Sequence, residues 1–208
     1  MHADLLAKAL AAIEPETTLQ KFQAASGMAS RSVAKSVLDF LAANGVGSVS
    51  KNLIRFSETD RLYAAVIALQ LGCDIERVSE HLSWKDFEKL ASQVLSSLGY
   101  RTQTNVRLKK PRMEIDVVGV SSGFAVAVDC KHWSRSSPSA IAAFAKKQAA
   151  RSERLLVHGK ISQAVPVIMT LHAGPVRFVG GVPVVPVHKF RSFVMDVKGH
   201  LPEIYVAG

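Results

Sequence analysis

The sequence lacks the features that would place the chain in a membrane or in an oxidising compartment. Only two of its 208 residues are cysteines, which excludes a disulfide framework and a four-cysteine zinc site. No run reaches the roughly 18 uninterrupted apolar residues that a transmembrane helix needs. The first residues also lack the basic segment and cleavage pattern of a signal peptide. We therefore expect a soluble, cytoplasmic protein with no membrane partner.

Acidic residues are scarcer than basic ones, and the imbalance is confined to one half of the chain. The whole chain has 26 Lys and Arg against 17 Asp and Glu, a net charge of +9. Residues 1–83 carry 8 basic and 9 acidic side chains, a net charge of −1, whereas residues 84–208 carry 18 and 8, a net charge of +10. The 48% of hydrophobic residues exclude disorder for the whole chain. The sequence thus predicts two domains, 1–83 and 84–208, and the second suits an acidic partner.

The first half has the pattern of several helices and one hairpin. Apolar residues at helical spacing predict a first helix near the N-terminus, a second that ends at Gly27 and a third that ends at Gly45. Threonine and serine residues stand at the expected caps of the second and third helices. Two β-like runs over 46–49 and 52–56 predict a hairpin, and a further helix is predicted over 61–71.

Residues 17–56 resemble a winged helix-turn-helix, because helix, turn, helix and hairpin follow one another in that order. In such a domain the second helix of the pair enters the major groove with its N-terminal side chains forward, which here implies DNA contacts by Arg31 and Lys35. The net charge of −1 weighs against this, since phosphate neutralisation supplies most non-specific DNA affinity. Two interpretations therefore stay open, a DNA-binding domain and a small helical domain for protein contacts.

The second half alternates helices and strands. The predicted elements are, in order, a helix from Ser83 to Gly99, strands over 100–106, 113–120 and 124–130, a helix over 141–156, and strands over 165–171 and 182–187. Between the first two strands lies a basic loop over 108–112. This alternation predicts an α/β domain.

The second and third of these strands form a hairpin with a definite register. With a two-residue turn at 122–123, the numbers of facing residues sum to 245, so Asp116 lies opposite Asp129. Alternation puts Glu114 on the face of Asp116, and Lys131 on the face of Asp129. Two facing carboxylates cost folding energy unless something compensates their charge. Geometry alone leaves two interpretations open, an ion pair with the lysine or a divalent metal such as Mg²⁺.

Four short motifs follow one another along the second half. They are Phe87-Glu88 on a helix, Leu98-Gly99-Tyr100 at its exit, Glu114-Ile115-Asp116-Val117-Val118 on a strand, and Ala127-Val128-Asp129-Cys130-Lys131 on the next strand. In this order and spacing they resemble the PD-(D/E)XK nuclease superfamily, and within it the Mrr-type restriction endonucleases and the archaeal Holliday-junction resolvases. The resemblance covers about residues 84–171. It implies a restriction-endonuclease-like mixed sheet flanked by helices, here preceded by a mainly helical, winged-helix-like domain.

The resemblance also implies roles for individual residues. Asp116 and Asp129 match the metal-binding acids, and Lys131 matches the lysine of the (D/E)XK tripeptide. Glu88 matches a helix glutamate that many members add in or beside the metal site, and Gln148 matches, more loosely, a glutamine near the lysine. All five are the implied catalytic residues, and the two aspartates and the glutamate are the implied metal ligands.

Two neighbours of these residues need separate treatment. The proline that usually precedes the first aspartate is replaced by Ile115, which follows Glu114, and this leaves open whether Glu114 joins the metal ligands. Cys130 faces away from Asp129 on its strand, so we predict a buried core thiol rather than a nucleophile.

The predicted function is that of a DNA endonuclease that uses Mg²⁺ or Mn²⁺, with the first domain as a targeting module. Backbone contacts to DNA are predicted for the basic residues near the two acids. These are Arg107, Lys109, Lys110, Arg112, Lys146 and Lys147. The alternatives are a structure-selective nuclease for junctions or flaps, with a homodimer as an open option, and a non-catalytic DNA-binding regulator. The intact acid, acid and lysine set argues against the last of these.

Overall fold

The structure, a computed structural model, describes residues 2–51, 53–109, 112–131, 137–157, 161–171 and 177–208. The chain divides into two compact units, Met1–Asp86 and Phe87–Gly208. The units thus divide three residues after the boundary that charge and pattern predict, which lies after residue 83. No helix in the described part of the chain is both long and apolar enough to cross a membrane.

The first unit contains five helices and a small antiparallel sheet among its described residues. The elements are α1 (Ala3–Leu10), β1 (Glu16–Thr17), α2 (Leu19–Ser26), α3 (Arg31–Ala43), β2 (Ser48–Ser50), β3 (Leu53–Arg55), α4 (Asp60–Gln70) and α5 (Ile75–Ser79). The sheet has the order β1-β3-β2. The predicted helices and hairpin are present, while β1 and α5 were not predicted because each is too short to carry a periodic pattern.

The capping side chains of the first unit explain where two helices begin. Thr18 Oγ1 accepts a hydrogen bond from the Lys21 N–H at 3.3 Å, and Ser30 Oγ accepts one from the Val33 N–H at 3.3 Å. The caps are thus a threonine and a serine, as the sequence predicts. Gly27 ends α2 in the left-handed conformation, with φ 62°.

The second unit is a mixed α/β fold, as predicted, and it is built on a six-stranded sheet. Its elements are α6 (Trp84–Ser97, which starts two residues before the unit boundary), β4 (Arg101–Leu108), β5 (Met113–Ser121), β6 (Phe124–Lys131), α7 (Pro138–Val157), β7 (Gln163–Thr170), β8 (Phe178–Val179), β9 (Val182–Pro186) and α8 (Val187–Asp196). The sheet order is β4-β5-β6-β7-β9-β8. Strands β4, β5 and β6 are antiparallel, and β6, β7 and β9 are parallel.

Burial in this sheet follows strand position. The central strand β6 is buried at seven of its eight residues, whereas the edge strand β4 is mostly exposed. A Cβ atom at Gly119 would lie 3.1 Å from the side chain of Leu95, so the glycine lets α6 pack closely against β5. The structure departs from the prediction in several places. Strand β4 extends two residues further, to Leu108, α7 begins three residues earlier and β7 two residues earlier, and β8 and α8 are additional elements.

Candidate active site

The β5–β6 hairpin has the predicted turn and register. Ser122 and Gly123 both have positive φ, 49° and 79°, as in a type I′ turn. The facing pairs run from Ser121 and Phe124 down to Val117 and Val128, so their numbers sum to 245 as predicted. This register brings Asp116 and Asp129 to the same end of the hairpin.

Asp116 is half-buried beside the backbone of β6. Its Oδ2 accepts a hydrogen bond from the Cys130 N–H at 2.7 Å, and its Oδ1 has no hydrogen-bond partner among the described residues. Burial raises the pKa of the Asp116 carboxyl, and the Asp129 carboxylate raises it further. The Cys130 N–H, Lys131 and Arg151 act in the opposite direction. The two acids therefore interact electrostatically, as the hairpin geometry predicts.

Asp129 is the most buried acid of the site and lies between two cations. The residue is 1% exposed. Its Oδ2 lies 2.9 Å from Lys131 Nζ, and its Oδ1 accepts a hydrogen bond from Arg151 Nη1 at 2.9 Å. Buried charge is tolerated when it is paired and hydrogen-bonded in this way. The ion pair with the lysine, one of the two interpretations that the hairpin geometry left open, is present, and the arginine is an additional partner.

One face of α7 organises these contacts. Gln148 is fully buried, donates from Nε2 to the Ala127 carbonyl at 2.9 Å and accepts from Arg151 Nη1 at 3.2 Å. One turn earlier, the Phe144 ring centroid lies 5.1 Å from Lys131 Nζ. Residues 144, 148 and 151 share a face because they are four and three positions apart. The structure thus places the predicted Gln148 at the Asp129–Arg151 pair.

The contacts of Arg151 were missed by sequence analysis, which did not single out this residue among the basic side chains of its helix. A basic run usually indicates a solvated face, and nothing in the local sequence distinguishes Arg151, which contacts Asp129, from the other cations of the run. The usable signal was the spacing of three residues from Gln148, which puts both side chains on one face.

Glu88 approaches the site from α6. It is 5% exposed, and its Oε2 accepts a hydrogen bond from Asn105 Nδ2 at 3.5 Å. Burial raises the pKa of the Cys130 thiol well above its usual value, and Asp116, Asp129 and Glu88 each raise it further. All three acids therefore lie near this thiol. Cys130 is buried, as predicted.

The donor chemistry of the two aspartates fits a divalent cation. Mg²⁺ binds hard oxygen ligands, keeps several waters and needs only one or two carboxylates from the protein. Asp116 and Asp129 supply that number, and Asp116 Oδ1 makes no hydrogen bond to a described residue. In the described part of the chain, no three His, Cys, Asp or Glu side chains form a group that could hold a metal, and Glu88 as a third ligand stays a prediction. Glu114, whose role was open, lies 3.8 Å from Arg107 Nε.

The predicted DNA contacts fall in several places. Arg112 and Lys147 line a pocket of about 420 Å³ together with Arg151 and Glu114. Lys109 and Lys146 are exposed, as is Arg31 in the first unit, while Lys35 pairs with Asp39 at 2.5 Å. Lys110 lies outside the described residues. The pocket therefore brings two of the predicted contacts to the arginine that holds Asp129.

Comparison with known proteins finds a family match that lies mostly in the second unit. Residues 79–160 match the Mrr_cat family of restriction endonuclease domains. This match confirms that the segment resembles the restriction-endonuclease-like, PD-(D/E)XK domains. The winged helix of the first unit stays a prediction.

Three further proteins are similar to the chain. An uncharacterized protein from Archaeoglobus fulgidus is 29% identical over 127 residues, which are 59% of this chain and 97% of that protein. The crystal structure of protein VC1899 from Vibrio cholerae is 12% identical, with a TM-score of 0.42 over 97% of this chain and 51% of that one. The crystal structure of a protein of unknown function, AF1548, is 21% identical, with a TM-score of 0.32 over 52% of this chain and 54% of that one. The chain thus spans about half the length of each solved structure.

Proposed function

We propose that the protein is an endodeoxyribonuclease that hydrolyses phosphodiester bonds with Mg²⁺ or Mn²⁺ bound at Asp116 and Asp129. One observation carries the proposal. Two acids and one lysine meet at the end of the β5–β6 hairpin, inside the segment that matches the restriction endonuclease family. The acids suit a hard cation, and the lysine suits an anionic substrate.

Each residue of this group has a chemical role in the proposal. A bound divalent cation would make a water nucleophilic near neutral pH and polarise a phosphoryl oxygen. Lys131 has a second function besides pairing with Asp129: an ammonium has three N–H donors, and the side chain is 22% exposed, so it can also donate to the attacking water or to the phosphate. Arg151 shares the charge of Asp129 and thereby leaves Lys131 more available to substrate. Gln148 fixes the arginine in this position.

DNA is the proposed substrate because the exposed charge of the second unit is strongly basic. Arg112 and Lys147 stand at the pocket beside Arg151, where they can contact phosphates next to the one that is cut. Lys109 and Lys146 extend this basic surface, and Lys110 is proposed to do so from its place in the sequence. Arg107 contributes less, since it faces Glu114.

The first unit is proposed to aid targeting as a winged helix. Its order of helices and strands supports this, as does Arg31, which is exposed at the first position of α3. Lys35 is a weaker contact because its charge is already paired with Asp39. A homodimer remains a prediction from the family resemblance.

The test is a cleavage assay with the purified full-length chain. Supercoiled plasmid, linear duplex, single strands and a four-way junction are each incubated with Mg²⁺, Mn²⁺ or EDTA. Duplex cleavage that requires a metal supports the proposal. Cleavage of the junction alone would replace it with a structure-selective nuclease. Tight DNA binding without cleavage under any of these conditions would indicate a non-catalytic DNA-binding protein.

Two variants separate the site from a contaminating nuclease. Lys131→Met keeps most of the side-chain volume but removes the donors, and we expect the cleavage rate to fall by about 10²–10³-fold while DNA binding persists. The matched control is Lys189→Met, which removes an exposed lysine of α8. Equal cleavage by Lys131→Met and the parent would contradict the assignment.

A further inference from the structure

Asn105 has an unusual backbone conformation in the middle of a strand. Its φ is 53°, in the left-handed region, although it is not a glycine and lies four residues from the start of β4. L-residues avoid this region for steric reasons, and asparagine is one of the few that tolerate it. Non-glycine residues held in this way cluster at functional sites, so the position calls for a physical explanation.

The distortion lies opposite Asp116. On β4 and β5 the facing pairs include Thr104 with Val117 and Val106 with Ile115, whereas Asn105 and Asp116 between them are not paired. The register of β4 against β5 is the same before and after Asn105, so the pairing is interrupted at this one position and no residue is inserted. On the other side of Asp116, the Cys130 N–H bonds to the Asp116 side chain. The sheet is therefore irregular on both sides of this aspartate.

The side chain of Asn105 points to a second acid of the site. Its Nδ2 donates to Glu88 Oε2 at 3.5 Å, and Glu88 is 5% exposed. An amide donor suits a buried carboxylate, because hydrogen bonds to the charged form stabilise it. One residue thus connects the helix that carries Glu88 with the break in the sheet at Asp116.

We infer that Asn105 is a positioning residue of the nuclease site: its left-handed backbone releases the sheet at Asp116, and its amide orients the buried Glu88 carboxylate of α6. The inference deepens the proposed function and rests on it. Asn105 acts through Asp116 and Glu88 and does not touch the substrate. A regular strand residue at this point would pair with Asp116 and hold it in the ladder.

The key variant is Asn105→Gly, which keeps the left-handed backbone accessible and removes only the amide. The matched control is Ser122→Gly, because Ser122 is also a non-glycine residue with positive φ but lies in the hairpin turn. Ser122→Gly only relieves backbone strain, so this variant should melt at or above the temperature of the parent. Asn105→Gly relieves strain but loses the hydrogen bond to the buried Glu88, so it should melt near or slightly below the parent. Asn105→Ala, which loses the amide and disfavours the backbone conformation, should melt lower.

Metal binding is the readout that a purely structural role would not move. Mn²⁺ affinity is measured by electron paramagnetic resonance, with duplex DNA present, alongside single-turnover cleavage. For Asn105→Gly we expect about tenfold weaker Mn²⁺ binding and about tenfold slower cleavage, as is usual when a group that orients a metal-site residue is lost. The Kd for DNA should be unchanged, and Ser122→Gly should match the parent in all three measurements.

A double-mutant cycle tests the route through Glu88. In a Glu88→Gln background, Asn105→Gly should lower Mn²⁺ affinity by less than it does alone, since the partner of the amide has already changed. Full additivity, or an Asn105→Gly variant with the Mn²⁺ affinity and cleavage rate of the parent, would overturn the inference while the parent still cleaves. A parent that neither binds Mn²⁺ nor cleaves DNA would instead overturn the proposed function, and the inference with it.

Discussion

The two units of the chain deal with charge in different ways. In the first unit, cations pair with nearby acids at the surface, as in Lys35–Asp39 at 2.5 Å and Arg55–Glu16 at 3.3 Å. In the second unit, one acid, Asp129, is buried between two cations. Many surface cations of that unit have no acidic partner among the described residues. Examples are Arg101, Lys109, Arg112 and Lys146.

Exposed and buried ion pairs therefore have different consequences for the protein. Exposed pairs contribute about 0–1 kcal/mol, and they neutralise the cations that would otherwise attract an anion. A buried pair organises its surroundings, and removing one member leaves the other charge uncompensated. The first unit therefore offers little charge to DNA, whereas the second combines an organised acid with unpaired surface cations.

The strongest test of this comparison is Asp116→Asn. The amide is a poor ligand for a hard cation, so we expect the cleavage rate to fall by at least about 10²-fold. The parent should melt at a higher temperature as Mg²⁺ or Mn²⁺ is added, because the ion binds the native state. This shift should shrink in the variant, while its melting temperature without metal should be no lower, since repulsion from Asp129 is removed. An unchanged metal-induced shift would place the ion elsewhere.

A second test compares DNA binding by matched pairs of charges. The double variant Lys109→Ser, Arg112→Ser should bind DNA more weakly at low salt. The slope of log K for DNA binding against log salt concentration should become shallower by about two, one for each lost charge. Arg31→Ser with Lys35→Ser should reduce it by one charge or less, because Lys35 is already paired. Fluorescence anisotropy across a salt series gives both slopes. An equal decrease in the slope for the two double variants would mean that the two units contribute equally to DNA binding.

A third test compares a buried with an exposed ion pair. Arg151→Met should lower the free energy of unfolding by about 1–2 kcal/mol, less than for a fully isolated pair because Lys131 still contacts Asp129. Lys35→Met should lower it by less than about 0.5 kcal/mol, as for other helix pairs at this spacing. Urea unfolding at neutral pH measures both. Equal losses would mean that burial does not distinguish the two pairs.

The smallest expected effect concerns an exposed hydrogen bond of the second unit, between Tyr205 and Glu153. A hydrogen bond to Glu153 raises the pKa of Tyr205 to about 12. The unfolded tyrosine ionises near its ordinary value of about 10, so the contribution of this bond is present below pH 10 and is lost as the pH rises toward 12. Tyr205→Phe should therefore be slightly less stable than the parent at pH 9, and the difference should shrink at pH 11. A difference that grows with pH would contradict this sign.

Turn chemistry and periodicity were sufficient to predict much of the fold and the centre of the site. A serine–glycine turn fixed the register of the β5–β6 hairpin, and the register placed Asp116 near Asp129. Helix caps were readable because Thr18 and Ser30 act on residues three positions away. These features depend on local sequence, so a single chain is enough to find them.

Other features depend on contacts that are distant in sequence. Arg151 looks like its neighbouring surface cations until β6 places Asp129 beside it. Asn105 stands in a run that predicts a regular strand, and its left-handed backbone is explained only by Asp116 and Glu88. Asparagine is uncommon in strands, so its place inside β4 was the one available signal.

The two cysteines give the protein a pair of built-in chemical reporters. Cys73 lies in the first unit and Cys130 in the second, and both thiols are buried. Burial raises the pKa of each thiol, so little thiolate is present near neutral pH, and alkylating reagents attack the thiolate. Each cysteine should therefore react only when its own unit opens. Mass spectrometry of partially alkylated protein can then measure the opening rate of each unit separately, with no need for an engineered cysteine.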